Sequence, residues 1–277
     1  MKKKNTLRKS AVFSISFMLL AFTVPAISWA PEVKHTSYEV ASPEAPPATQ
    51  LMAKDSPEEI FEEYLEDTFD EMDLRGKGMK LEVFRRALTG YQNLKKQKLI
   101  SPDKSIISIV DFGKASRYKR LWILDLQSKK VLFHSYVAHG RGSGDDKPYA
   151  FSDKHESHQS SLGFYITAGT YSGKHGLSLK LNGMDAGFNT NALGRAIVVH
   201  GADYVSKDFI KEHGRLGRSH GCPAVPQDLK DPIIHAIKDK TVMYIDAGIE
   251  TYNSVYLNKN IAATHFAAQD LVPKNNI

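Results

Sequence analysis

Cysteine is almost missing from this chain: there is one, Cys222, in 277 residues. A lone thiol cannot close an intramolecular disulfide, and no CxxC pair is present to hold a structural zinc ion. Long apolar runs are scarce too. The clearest, about 11–24, is short of the ~20 residues of a spanning helix and follows the basic start MKKKNTLRK. An excess of positive charge also disappears once that start is set aside. The formal charge is +6, but Lys2, Lys3, Lys4, Arg8 and Lys9 fall in the first 30 residues, where no acid does. Removing those five from 37 basic side chains leaves 32 against 31 acidic ones. A near-neutral body gives no reason to expect nucleic acid or an anionic membrane surface as partner.

A basic start, an apolar run and small residues at Val24, Ala26, Ser28 and Ala30 form the pattern of a secretory signal peptide. Cleavage is expected within 26–30, with no stable membrane span afterwards and a destination in the periplasm or cell envelope. In an oxidising compartment a single thiol is buried and inert, paired to another molecule, or kept for chemistry. Residues 31–54, rich in Pro, Ala, Ser and Thr, read as a linker.

From Ser56 the pattern becomes helical. Ser56, Pro57 and Glu59 make a capping box for a helix over 57–74, and Leu81, Phe84, Leu88, Tyr91 and Leu94 share one face of a second helix over 80–98. The first helix is acidic and the second mostly basic, which suggests antiparallel packing with charge pairs at the rim. Beyond Ser101 the runs SIISIVDF, RLWILDL, KVLFHSYVAHG, LGFYITAGTY, LSLKLNG and RAIVVHG, and later TVMYI, are rich in branched and aromatic residues between glycine-bearing turns. They predict a mainly β fold of roughly six to eight strands, an antiparallel sheet or sandwich with α additions. Short helices are expected at SKDFIKEHG, capped by Ser206 and stopped by Gly214, and at DPIIHAIKD, capped by Asp231. An irregular tail is expected after about 250. The polar segment His139 to Ser161 is long for a connection in a compact domain, and a mobile or functional role, such as a lid, is expected of it.

Two pieces carry chemistry. AIVVHG is a buried-type strand ending in His200 and Gly201, and SHGC holds Ser219, His220, Gly221 and Cys222. A thiol near its ordinary value is mostly protonated at neutral pH, so nucleophilic attack on an acyl group needs an imidazole beside it; His200 is the candidate base. Negative charge on the tetrahedral intermediate needs N–H donors. Pro223 has none, so these are Cys222 and either Gly221 or His220. Pro223 also biases Cys222 toward an extended conformation. A thiol flanked by Ser, His, Gly and Pro does not fit an inert core position. His139, His155, His158 and His175, or Cys222 with His200 and His220, offer a zinc alternative, but none of them has zinc-like pair spacing, and no metal or cofactor is expected.

HG, a spacer and SHGC together resemble the signature of the L,D-transpeptidase catalytic domain, the YkuD-like family, in a branch reading HGADYVS…HGRLGRSHGCPAVP. SLGFYIT, Ser161 to Thr167, is also similar to a family strand, and the resemblance spans about 106–245. It implies a YkuD-like β-sandwich preceded by a helical pair. It implies a transferase in which Cys222 is the nucleophile, His200 the base and His220 the second histidine, with Gly201 and Gly221 in the pattern. The substrate would be the tetrapeptide stem of peptidoglycan, with D-alanine released and a 3–3 cross-link formed, or hydrolysis by an L,D-carboxypeptidase. The common arginine two positions after the cysteine is Ala224 here, and Arg215 or Arg218 is expected to supply a cation. The expected domains are signal 1–30, linker 31–54, helical region 55–100, catalytic domain 101–250 and tail 251–277. The rival reading from another class is a catalytically silent cell-wall binding module.

Overall fold

The helical pair forms as its caps dictate. In the computed structural model, which describes residues 56–174 and 176–270, Ser56 opens α1 (Pro57–Glu71). Its Oγ accepts the Glu59 N–H while the Glu59 carboxylate accepts the Ser56 N–H. The expected signal peptide and linker lie outside the described residues. α2 (Leu81–Lys96) buries Phe84, Leu88, Tyr91 and Leu94, and Arg85 Nε donates to Glu62 Oε1 at 2.7 Å across the rim. The helices share one hydrophobic core with the sheet, in which Phe61, Leu65 and Phe84 join Trp122, Phe164 and Tyr244. Gly90 shows how tight that junction is. A Cβ there would lie 2.0 Å from the Phe164 ring, which explains a mid-helix glycine that costs about 1 kcal/mol of helix propensity.

Among the described residues eight strands follow, named in chain order. They are β1 (Ile106–Asp111), β2 (Leu121–Asp125), β3 (Lys130–Ser135), β4 (Gly163–Gly173), β5 (Gly176–Gly183), β6 (Val198–Ala202), β7 (Ala224–Pro226) and β8 (Val242–Asp246). They form one sheet in the order β3-β2-β1-β8-β4-β5-β6-β7. The mainly β class and the preceding helix pair are as expected; an all-antiparallel sheet is not. β1 pairs with β8 and β6 with β7 in parallel. The second ladder is reached through the crossover helix α3 (Lys207–His213), whose Ser206 Oγ accepts the Phe209 N–H and whose stop, Gly214, sits at φ 72°. Bridges from Ala138 to Ala224 and from Gly140 to Ser219 bring the chain after β3 against β7. The sandwich is thus one sheet curled toward closure, and its seam runs past Cys222.

Two local expectations change. α4 (Lys230–Ile237) is preceded by Leu229 rather than capped by Asp231, which lies inside the first turn; Pro232 is tolerated because a first-turn N–H has no helical partner. The tail is not irregular. α5 (Lys259–Asp270) starts where Asn258 Oδ1 accepts the Ile261 N–H, and its buried Ala262, Ala263 and Ala267 allow close packing on α1 and α2. Asn93 Nδ2 ties this end down by donating to the carbonyls of Tyr256 at 2.6 Å and Asn258 at 2.9 Å. Among the described residues no helix is long and apolar enough to cross a membrane.

Candidate active site

β6 is buried through all five residues, so His200 stands in the middle of a sheet strand; Gly201 and Ala202 continue the strand beyond it. β7 runs parallel beside it with His200 level with Ala224. Stepping that register back by two sets Cys222 beside Val198, and the Val198 N–H donates to Cys222 Sγ at 3.5 Å. The thiol in turn donates to the Ala196 carbonyl at 3.6 Å. Ala196 has φ 53°, a left-handed conformation that costs a residue with a Cβ about 1–2 kcal/mol; it turns this carbonyl toward the sulfur.

The imidazole of His200 has a fixed tautomer. Nδ1 lies 2.9 Å from the Gly201 carbonyl oxygen, and a carbonyl only accepts, so Nδ1 carries the hydrogen and Nε2 is the basic nitrogen. Burial pushes the Cys222 thiol above its ordinary value, while the Val198 N–H and the Arg195 guanidinium pull it down. Tyr204, four residues after His200, is pushed up to about 12, first by burial and then by its nearness to Cys222. A thiol raised in this way has little thiolate at neutral pH unless a neighbour takes its proton.

The SHGC turn is shaped by side chains and by the absence of one. Ser219 Oγ donates to the Cys222 carbonyl at 2.6 Å and accepts the Gly221 N–H at 3.0 Å. Ser160 Oγ donates to the Gly221 carbonyl at 3.2 Å and accepts the Gly140 N–H at 3.0 Å. Gly221 has φ 120°, and a Cβ on it would lie 2.8 Å from the Gln159 carbonyl oxygen and 3.2 Å from Arg195 Nη2. Gly221→Ala is therefore expected to destabilise the fold by about 1–3 kcal/mol and to slow alkylation of Cys222. A melting curve and an intact-mass time course check both.

The family model of the L,D-transpeptidase catalytic domain matches residues 75–245, more than half of the chain, with His200 and Cys222 inside. The chain belongs to this family. Among solved structures it is similar to an L,D-transpeptidase from Mycobacterium smegmatis, with 10% identity and a TM-score of 0.33 over 52% of this chain and 59% of that one. It is similar to LD transpeptidase LdtMt1 in complex with imipenem, at 12% identity and TM-score 0.32 over 51% and 59%. It is also similar to the helical cell shape determining protein Pgp2, a mutant, from Campylobacter jejuni, at 12% and 0.37 over 66% and 64%. The chain covers less than two thirds of the length of each. A search of curated proteins returns no match.

Within this L,D-transpeptidase domain the other residues named from sequence are spread around the turn. Gly201 lies in β6, where a Cβ would meet Gln227 Oε1 at 2.3 Å. His220 is exposed and packs against His158, ring centroids 4.5 Å apart. Partial desolvation, then Arg141, His158 and Lys174, hold its imidazole below the usual histidine value. Arg215 and Arg218 both pair with Asp145, at 2.8 and 3.2 Å, and Arg218 also donates to the Gly144 carbonyl. Of the alternative zinc ligands, His139 is fully buried and its Nδ1 accepts from Arg120 Nη2 at 2.8 Å. Burial first and Arg120 second push it down to about 3, so it stays neutral. Its carbonyl accepts the Ser219 N–H at 2.9 Å, fixing the start of the turn. His175 lies outside the described residues, among which no group of three or more His, Cys, Asp or Glu could hold a metal ion.

Sequence reasoning missed Arg195 and the work of the long segment. Arg195, three positions before β6, is 3% exposed along its side chain and donates to four acceptors between Ser152 and Ser161. The segment expected as a lid is stitched down at its far end by these bonds and at its near end by the Arg141 N–H on the Ser219 carbonyl at 2.8 Å.

Proposed function

We propose that the chain is a peptidoglycan L,D-transpeptidase that works through a Cys222 acyl-enzyme, with residues 101–250 as the catalytic unit and the 55–100 helices as its brace. The observation that carries this reading is the thiol held against β6 by the Val198 N–H, on the strand that carries His200 with its Nε2 basic. His200 takes the thiol proton as Sγ attacks the carbonyl preceding the terminal D-alanine of a tetrapeptide stem. The sulfur–carbon bond forms, the carbon–nitrogen bond breaks, and the proton passes to the leaving D-alanine amine. An acceptor amine then attacks the thioester, returns the thiol and leaves a 3–3 cross-link. Oxyanion donors are the N–H groups of Cys222 and His220; the Gly221 N–H is held by Ser219 Oγ. His220, exposed beside the turn, is the second histidine of the site, and Arg215 and Arg218 face a substrate carboxylate from the Asp145 side. The reading requires export to the periplasm or cell envelope.

Incubation with purified disaccharide-tetrapeptide, followed by mass analysis, tests the reaction. Cross-linked dimer with loss of D-alanine is the expected product. Tripeptide alone would mean an L,D-carboxypeptidase, with water as acceptor. No change in substrate, and no carbapenem adduct on a thiol that other reagents modify normally, would mean a silent cell-wall binding module.

A further inference from the structure

A buried cation normally sits in a bidentate pair with a carboxylate, since an unpaired buried charge costs several kcal/mol. Arg195 does not follow that rule. Its nearest carboxylate, Asp153, is 3.8 Å away with no hydrogen bond between them, and Asp153 Oδ2 is turned to the Asn191 N–H at 2.8 Å. The guanidinium is satisfied by neutral oxygens instead. Nη1 donates to the Ser152 carbonyl at 2.8 Å and Ser161 Oγ at 2.6 Å, and Nη2 to the Gln159 carbonyl at 2.7 Å and Ser157 Oγ at 3.3 Å. Neutral acceptors fix the orientation of a charge without cancelling its field, and Asp153, at 3.8 Å and out of hydrogen-bond reach, offsets that field only in part. That field falls on the SHGC turn, because the same Nη2 lies 3.2 Å from where a Gly221 Cβ would be.

We propose that Arg195 is a positioning residue of the active site: it clamps the 152–161 segment and presents its guanidinium charge to the Gly221–Cys222 turn that carries the thiol. The proposal rests on Cys222 being the working thiol. Three features agree with it. Gln159, clamped by Arg195, is the residue whose carbonyl crowds Gly221. Ser160, next along, donates to the Gly221 carbonyl. The positive charge acts on the thiol in the direction opposite to its burial. The titratable and charged groups to weigh are Arg195, whose charge acts on the thiol, Asp153, paired with Arg195, Tyr204, coupled to Cys222, and, by their positions on β6 and the turn, His200 and His220.

The test is the rate of Cys222 alkylation by iodoacetamide against pH in the full chain, which has no second cysteine to confuse the signal. Arg195→Met is expected to move the midpoint of the profile up by about one unit, about tenfold less thiolate at fixed pH; Arg195→Lys keeps it near the parent's. Asp153→Asn removes the negative charge paired with Arg195 and is expected to move the midpoint down, a direction that mere loosening of the loop would not produce. A folded Arg195→Met with the parent's profile, or an Asp153→Asn midpoint that stays or rises, overturns the proposal. If Arg195→Met fails to fold, the sign of the Asp153→Asn shift decides. Alkylation is read without any peptidoglycan, so failure here is distinct from failure to release D-alanine.

Discussion

Cys222→Ala is expected to stop D-alanine release from tetrapeptide stems, a loss of at least about 10⁴-fold in turnover, while the protein still melts cooperatively close to the parent temperature. The separation of the two effects follows from the contacts. The sulfur accepts one long hydrogen bond from Val198 and gives one weak one to Ala196. The turn itself is held by Ser219, Ser160 and Gly221, none of which needs the thiol. Removing Sγ deletes the atom that bonds to the acyl carbon in the proposed reaction, and little else. Cys222→Ser should be almost as inactive, since a hydroxyl in this pocket has a far higher pKa than a thiol and the same base to activate it. Mass analysis of products and a thermal melt of each variant check the outcome. Appreciable D-alanine release by Cys222→Ala would remove the thiol from the mechanism.

The helix pair was readable in the sequence because its signals are local. Ser56 and Glu59 satisfy each other's backbone within four residues, and a face such as Phe84, Leu88 and Tyr91 needs no distant partner to be recognised. Strand positions were readable for the same reason, as runs of branched and aromatic residues. Strand direction was not. That β1 and β6 pair in parallel with β8 and β7 depends on crossovers that place strands far apart in sequence side by side, and nothing inside IISIVD or VVHGA encodes it. β7 itself has three residues, too few for any period to show. α5 was missed although Asn258 stood at its start as a cap; its alanine-rich stretch has little amphipathic contrast to mark it as a helix.

At the site, the residue types visible in a short motif were legible and those that act from a distance were not. Cys222 and His200 stood out by spacing and by chemistry. Arg195 did not, because an arginine at the mouth of a strand ordinarily reads as a solvated charge, and only the return of the 152–161 segment buries it. The length and polarity of the same segment suggest a lid. Its serines serve a different need: the hydroxyls of Ser157, Ser160 and Ser161, with the Ser152 main-chain carbonyl, supply neutral oxygens that hold the guanidinium and the Gly221 turn. Polar composition in a long loop therefore reported a buried hydrogen-bond requirement as much as exposure.

His200→Asn isolates the remaining step, proton removal from the thiol. Asn places an N–H close to where Nδ1 stands, so the hydrogen bond to the Gly201 carbonyl is largely kept, while the far side of the ring with its basic Nε2 is removed. Turnover at neutral pH is expected to fall by about 10²–10⁴-fold. The deficit should shrink as pH rises. Burial holds the thiol above its ordinary value, so without a base the reactive species is the small thiolate fraction, which grows about tenfold per pH unit below the thiol's own pKa. The variant's logarithmic rate should therefore climb with a slope near one into the alkaline range, and its rate of alkylation should climb in parallel. In the parent both curves should flatten at lower pH, as the proposed role of His200 as base requires. A His200→Asn protein whose pH profile has the parent's shape, at any height, would show that the proton leaves Cys222 by a route that does not include His200.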